Sequence, residues 1–318
     1  MLRRAVKPVV IGASSAVAVG VYALAVDAPM ADKGDGTYVH RRETTFPEWV
    51  HNLARVPLFL GATTLSKFSL QVLNSFQEEG VAIFRKSLEE RPPGVALITV
   101  SNHSATVDDP GVLAAMMPWK YAFFPSLGRW SLCSQEYSYT NGKTISALFF
   151  GSKTLPVKRG AGVDHEMLEA IFEKVEKGEW VHIFPEGKIC QYELLGGRES
   201  PRREEIGRLK WGVAKLIARS KVRPIVVPFY HFNMEKVMPQ NAQNQLISII
   251  PKTGIDLYVR VGKPLSFDDL LEQYESDRVV GASPWQTQDR EKALYQAITK
   301  RIEDALLELA EPFTKPQQ

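Results

Sequence analysis

Between residues 95 and 262 the chain alternates short β-forming runs with amphipathic stretches, and this alternation narrows its fold more than any other feature. The runs are "VALITVS" (95–101), "TLPVKR" (154–159), "WVHIF" (180–184), "PIVVPFY" (224–230) and "IDLYVRVG" (255–262). Met167, Leu168, Ile171, Phe172 and Val175 share one face of a helix expected over 164–178. Ile206, Leu209, Val213, Leu216 and Ile217 do the same over 204–219. Strands separated by helices predict an α/β sheet with helices packed on it. A last stripe, Leu294, Ile298, Ile302, Ala305 and Leu309, predicts a long packing helix over 284–310, with Ser283 and Pro284 as its start signal.

Ahead of this region lie three stretches of different character. Arg3, Arg4 and Lys7 precede a run from Val9 to Val26 that carries no charge. As a helix it would be roughly 27 Å long, near the hydrocarbon thickness of a bilayer. Residues 1–26 are therefore expected to be a membrane anchor, an organelle-targeting segment or a cleaved signal, and on each reading to stay outside the globular core. Residues 27–45 read as a polar linker rich in turn formers, which leaves 46–312 as the globular domain. Within it, Leu58, Leu65, Phe68, Val72, Leu73 and Phe76 fall at helical spacing, as a core helix or as one lying on a bilayer. Core packing is the expectation.

A formal net charge of +3 is only mildly basic. No block of lysine and arginine with interleaved aromatics accompanies it, so nucleic acid is not an expected partner. The two cysteines, Cys133 and Cys190, make neither a disulfide framework nor a metal-ligand set.

The chemistry concentrates where the β runs end. In "LITVSNHSATVDDPG" (97–111) an apolar strand gives way to His103, Asp108 and Asp109. A histidine titrates near neutrality and is the usual base for a hydroxyl. A carboxylate on its other ring nitrogen fixes the tautomer and stabilises the imidazolium. On one regular helix His103 and Asp108 would point about 140° apart. The pairing thus needs a turn between them, with the helix starting later. Asp109 before Pro110 reads as N-cap before N1, which assigns Asp109 to the helix and leaves Asp108 for His103. Read alone, the spacing fits a solvated loop with a capping aspartate equally well. Ser101 and Ser104 lack the Gly-x-Ser-x-Gly setting of a serine nucleophile.

Two further strand ends carry polar groups. "VHIFPEGKI" (181–189) offers Glu186 to accept from hydroxyls, Gly187 for close backbone approach, and Lys188 as a point charge for phosphate. "TLPVKRGAG" (154–162) offers Arg159 for two parallel hydrogen bonds to phosphate. Each has a plainer reading, as a polar turn with a surface ion pair and as an exposed arginine.

In combination and order, "NHSATVDDP", "LPVKRG", "FPEGK" and "IVVP" resemble the four sequence blocks of the glycerolipid acyltransferases. "RPPGVALITVSNHSATVDDP", "WVHIFPEGK" and "LKWGVAKLIA" are similar, more closely, to the tafazzin branch of that family, over roughly residues 45–270. Many members continue Phe-Pro-Glu-Gly with a small hydroxyl residue and arginine. Here Lys188 and Ile189 follow, which shifts phosphate binding towards Arg159 and Lys188. The resemblance implies a mixed sheet flanked by helices and acyl transfer to a glycerolipid hydroxyl without cofactor. It implies His103 as base, Asp108 as its holder, and Arg159, Glu186, Gly187 and Lys188 around the phosphoglycerol. Asn102 is a candidate helper, or the start of an Asx turn. The implied partners are a membrane surface and phospholipids: cardiolipin, monolysocardiolipin, phosphatidylcholine and phosphatidylethanolamine. The implied place is mitochondrial membranes facing the intermembrane space. An acyl-CoA-dependent lysophospholipid or glycerol-phosphate acyltransferase would share the catalytic residues.

Overall fold

A computed structural model describes residues 20–31, 38–39, 44–140, 142–191, 209–241, 243 and 245–314. Strands β1 (Met30–Ala31) and β2 (Tyr38–Val39) form a small antiparallel pair. The main strands are β3 (Ser75–Glu79), β4 (Leu97–Ser101), β5 (Ser131–Ser134), β6 (Thr154–Val157), β7 (Trp180–Ile183), β8 (Ile225–Phe232) and β9 (Asp256–Val261). Five of them form a mixed sheet in the order β3-β9-β8-β4-β7. β4 lies parallel to both β7 and β8, β9 runs antiparallel to β8, and β3 is parallel to β9. β5 and β6 pair in parallel and join the sheet through a parallel bridge from Trp130 to Val181.

β4 is central and buried along its whole length, which is why it reads as a continuous apolar run. Its alternate residues feed two cores. Ile98 and Val100 point to a core shared with helices Glu166–Glu176, Gly212–Arg219 and Glu291–Thr314. Leu97 points to a second core, shared with α3 (Val81–Glu89) and α4 (Asp108–Met116). Four strands escape the sequence reading: β1 and β2 within the expected linker, and β3 and β5. β3 is the exposed, polar edge strand "SFQEE", and β5 is only four residues long. Neither carries the apolar run that marks a buried strand. Of the helix expected over 204–219, the described part begins at Gly212, and Ile206 lies outside the described residues. The last helix starts at Glu291 rather than beside Pro284. Glu291 is buried against Arg219, and its carboxylate also accepts from the Gln288 amide.

The expected separation of residues 1–26 from the globular body does not hold at its end. Residues 1–19 lie outside the described residues. Residues 20–27 form a helix, α1, that packs on α2 (Glu48–Lys67). Leu24 and Ala28 belong to the core with Ala54 and Phe150. Gly20 brings the helices so close that an added Cβ would lie 2.6 Å from that of Ala54. Asp27, also buried, accepts from the Thr45 and Phe46 amides at 2.7 and 2.9 Å and contacts His51 Nε2 at 2.9 Å. Among the described residues no helix is long and apolar enough to cross a membrane.

The expected core stripe of 56–76 is also corrected. α2 is followed by one π-helical turn, Phe68–Val72. The buried side of the pair is formed by His51, Ala54, Arg55, Phe59, Thr63 and Leu70. Arg55 is held by an ion pair with Glu48 and sits over the rings of Trp130 and Phe150. Leu65, Phe68, Val72 and Leu73 face outward instead, with Trp49 and Leu53. Leu58 stays partly buried against the core and Phe76 lies in β3, so the six residues do not form one buried helical stripe.

If α1 belongs to the body, Leu24→Ala should lower unfolding free energy by about 2–5 kcal/mol in urea titration. A segment lying outside the fold would leave the midpoint unmoved.

Candidate active site

β4, β7 and β8 run in parallel, so their C-terminal ends reach one edge of the sheet together. Two residues beyond β4, His103 Nδ1 lies 3.0 Å from Asp108 Oδ2. The chain turns between them as the pairing requires. Ser104 N–H and Ala105 N–H donate to the same Oδ2 at 2.6 and 2.8 Å. Asp108 is thus a buried carboxylate at the start of α4 with three N–H donors on one oxygen, if His103 carries its proton on Nδ1. That tautomer follows from the contact, since a carboxylate can only accept. His103 Nε2 is then the proton acceptor, and the side chain keeps 18 % exposure.

Asp109 does not serve as expected. Its backbone is extended, at φ −120° and ψ 118°, as an N-cap residue requires, and Pro110 follows. Its carboxylate, however, pairs with buried Arg129, whose Nε donates to Oδ1 at 2.6 Å. Burial raises the Asp109 pKa, but the neighbouring groups, Arg129 foremost, together hold it below the ordinary value. Arg129 Nη1 also donates to the Ser152 carbonyl at 2.9 Å, which ties the start of α4 to the turn before β6.

The Phe-Pro-Glu-Gly-Lys turn follows β7 and closes against His103. Phe184 stacks on the imidazole with ring centroids 3.9 Å apart and planes 12° from parallel. The Cys190 amide donates to the His103 carbonyl at 2.8 Å. Gly187 adopts φ +71°, which favours glycine, and its N–H closes the turn on the Phe184 carbonyl at 3.1 Å. Glu186 is buried, whereas Lys188 is exposed. Arg159 lies two residues past β6, exposed, with its guanidinium 5.5 Å over the Tyr137 ring. β6 is three strand positions from β4, so Arg159 stands about 14 Å across the same edge.

Asn102 neither starts an Asx turn nor stands open to a ligand. It is buried, its Nδ2 donates to the His231 carbonyl at 2.9 Å, and its Oδ1 accepts from the His231 amide at 2.9 Å. The side-chain amide thereby extends the β4–β8 ladder by one rung. His231, missed by the sequence reading, lies one residue past the quoted run "PIVVPFY". Its Nε2 is 2.9 Å from the Asn102 carbonyl, which makes it a donor, and 3.5 Å from Asp108 Oδ2. A strand extended by one residue would have brought it into view.

Behind these groups, His182 Nδ1 meets Thr99 Oγ1 at 2.9 Å, and Trp180 Nε1 donates to the same hydroxyl at 3.0 Å. The His182 ring meets Phe184 edge-on with centroids 4.5 Å apart, so Phe184 is held between two imidazoles. Burial lowers the His182 pKa to about 3. Among the described residues no group of three or more His, Cys, Asp or Glu is arranged to hold a metal ion.

Similarity to known proteins covers this region. The Acyltransferase family model matches residues 83–231. N-acylphosphatidylethanolamine synthase of Arabidopsis thaliana is 34% identical over 216 residues, 68% of this chain and 72% of that protein. The Dictyostelium discoideum protein named Taffazin is 32% identical over 224 residues, 68% of this chain and 72% of its own length. Tafazzin of Drosophila melanogaster is 31% identical over 244 residues, 77% of this chain but 57% of that protein.

His182 makes stability depend on acid. The unfolded imidazole takes a proton below its ordinary pKa of 6.5, while the folded one stays neutral down to about 3. Its contribution is therefore complete above pH 6.5 and declines as pH falls to 3, by up to about 1.4 kcal/mol per pH unit. Urea midpoints measured across this window should fall more steeply for the parent than for His182→Gln.

Proposed function

This chain belongs to the acyltransferase family that contains the tafazzins, and we propose that it moves acyl chains between phospholipids without CoA, with a lysophospholipid as acceptor. The observation that carries the reading is the His103–Asp108 pair, with the imidazole part-exposed beyond the end of β4. His103 Nε2 takes the proton from the acceptor hydroxyl as its oxygen attacks the donor ester carbonyl. Asp108 offsets the charge of the imidazolium that forms. The imidazolium then returns the proton to the departing lysophospholipid oxygen. One ester bond forms and one breaks, so the net free energy is near zero and no activated donor is needed.

The phosphate of the acceptor lies, in this proposal, between Lys188 and Arg159, two exposed cations beyond the ends of β7 and β6. Monolysocardiolipin is the proposed acceptor and cardiolipin the product, with phosphatidylcholine or phosphatidylethanolamine as donor. These choices rest on kinship with proteins named tafazzin. So does a site of action on mitochondrial membranes facing the intermembrane space. Protease protection in intact and swollen mitochondria decides that point.

A second reading follows from the Arabidopsis relative, whose name specifies an N-acylated phosphatidylethanolamine. The same base could deprotonate an ethanolamine ammonium, giving an amide in place of an ester.

Purified protein given phosphatidylcholine and monolysocardiolipin, without CoA, should yield cardiolipin and lysophosphatidylcholine. His103→Ala should cut the rate by about 10²–10⁴. Asp108→Asn should reduce it comparably while the melting temperature changes little, because an amide oxygen can still accept from Ser104 and Ala105. A strict need for acyl-CoA would overturn the proposal, and free fatty acid as main product would indicate hydrolysis. An alkali-stable amide formed with phosphatidylethanolamine would favour the second reading.

A further inference from the structure

The topology that gathers the catalytic groups also gathers exposed apolar side chains. β9 runs against β8, and β3 runs with β9, so both begin at the edge where β4, β7 and β8 end. The residues just before β3 and β9 therefore stand at the catalytic edge. Before β9, Ile247, Ile249 and Ile250 are 59%, 84% and 73% exposed. Before β3, Phe68, Val72 and Leu73 face outward.

These two apolar groups are tied together and to the site. Gly254 N–H donates to the Leu73 carbonyl at 2.9 Å, and Asn74 Nδ2 donates to the Lys252 carbonyl at 3.1 Å. On the other side Ile247 N–H donates to the Pro239 carbonyl at 3.0 Å. Gln191 Nε2 donates to the Met238 carbonyl at 2.9 Å, and Gln191 Oε1 accepts from the Gln240 amide at 2.8 Å. Gln191 follows Cys190, whose amide is bonded to the His103 carbonyl. The isoleucine tip is thus connected to the catalytic histidine through a short series of hydrogen bonds.

The charge pattern selects the occupant. Residues 61–77 contain no acid and one cation, Lys67, and residues 237–255 contain no acid and one cation, Lys252. Lysine is the only charged residue type within these two stretches, ahead of Asp256 at the start of β9, and apolar side chains so flanked suit a surface with an anionic phosphate layer over hydrocarbon. We infer that the tip Ile247–Ile250, together with Phe68, Val72 and Leu73, inserts into the surface of a phospholipid bilayer and holds the mouth of the His103–Asp108 site at the headgroup level. The inference rests on the phospholipid reading above. It adds where the bilayer meets the protein: a diacyl substrate can then reach the base without leaving the membrane.

The test uses the full chain, the double variant Ile249→Asp/Ile250→Asp, and Val280→Asp as control. Val280 is exposed and precedes Gly281, whose amide bonds to the Arg219 carbonyl ahead of β8, at the opposite edge of the sheet. Flotation with vesicles of phosphatidylcholine and about one-fifth phosphatidic acid should show affinity reduced at least about tenfold in the double variant. The control should bind as the parent does. An Ile249→Trp variant should gain fluorescence quenching by brominated phosphatidylcholine vesicles, and Val280→Trp should not. Transfer between dihexanoyl phospholipids below their micellar concentration should be equal in parent and double variant. Undiminished binding by the double variant, together with no quenching of the tryptophan introduced by Ile249→Trp, overturns the inference. So does lipid-free sedimentation showing a dimer that the double variant alone dissolves. If the parent binds through the tip but transfers no acyl chain to either substrate form, the functional reading fails and the docking inference stands.

Discussion

Three donors converge on one carboxylate oxygen, Asp108 Oδ2, and the active site depends on that convergence. An ionised carboxylate is costly to bury unless its oxygens are hydrogen-bonded. Two of the donors, the Ser104 and Ala105 amides, are main-chain groups brought to the oxygen only because the chain turns sharply after β4. The third is His103, so the turn that stabilises the charge also sets the ring. Charge-assisted hydrogen bonds of this kind are short and directional. Phe184 from the end of β7 then fixes the plane of the imidazole, and Asn102 and His231 fix the β4–β8 seam beneath it.

Parallel strands supply the remaining order. Because β4, β7 and β8 share a direction, segments far apart in the chain deliver their ends to one place. The reversal at β9 brings the segments that precede β3 and β9 to that same edge. Polar chemistry and exposed apolar surface thus occur side by side. A substrate with a charged headgroup and insoluble chains needs both within reach of one base.

The buried polar groups differ in how they are accommodated. Asp109 keeps its charge because Arg129 is beside it, whereas burial outweighs the pull of the nearest carboxylate on His182, which remains neutral. Thr99, Trp180 and the flanking rings give His182 a hydrogen bond and apolar contacts. It acts as packing behind Phe184.

Much of this was legible in the chain. Apolar runs located β4, β7 and β8, and the break from apolar to polar at residues 101–103 located the histidine that meets Asp108. The step across five residues required a turn, which the backbone provides. Local pattern could not assign the two aspartates fully, because Asp109's partner, Arg129, lies twenty residues away and meets it only through packing. Nor could it tell which side of α2 faced inward. His51 and Arg55 are buried because Asp27, Glu48, Trp130 and Phe150 provide polar and aromatic partners for that side. The sequence by itself determined the elements and the residue types available at their ends. The tertiary structure decided which ends meet, because strand order and direction are long-range pairings that periodicity along one segment does not encode.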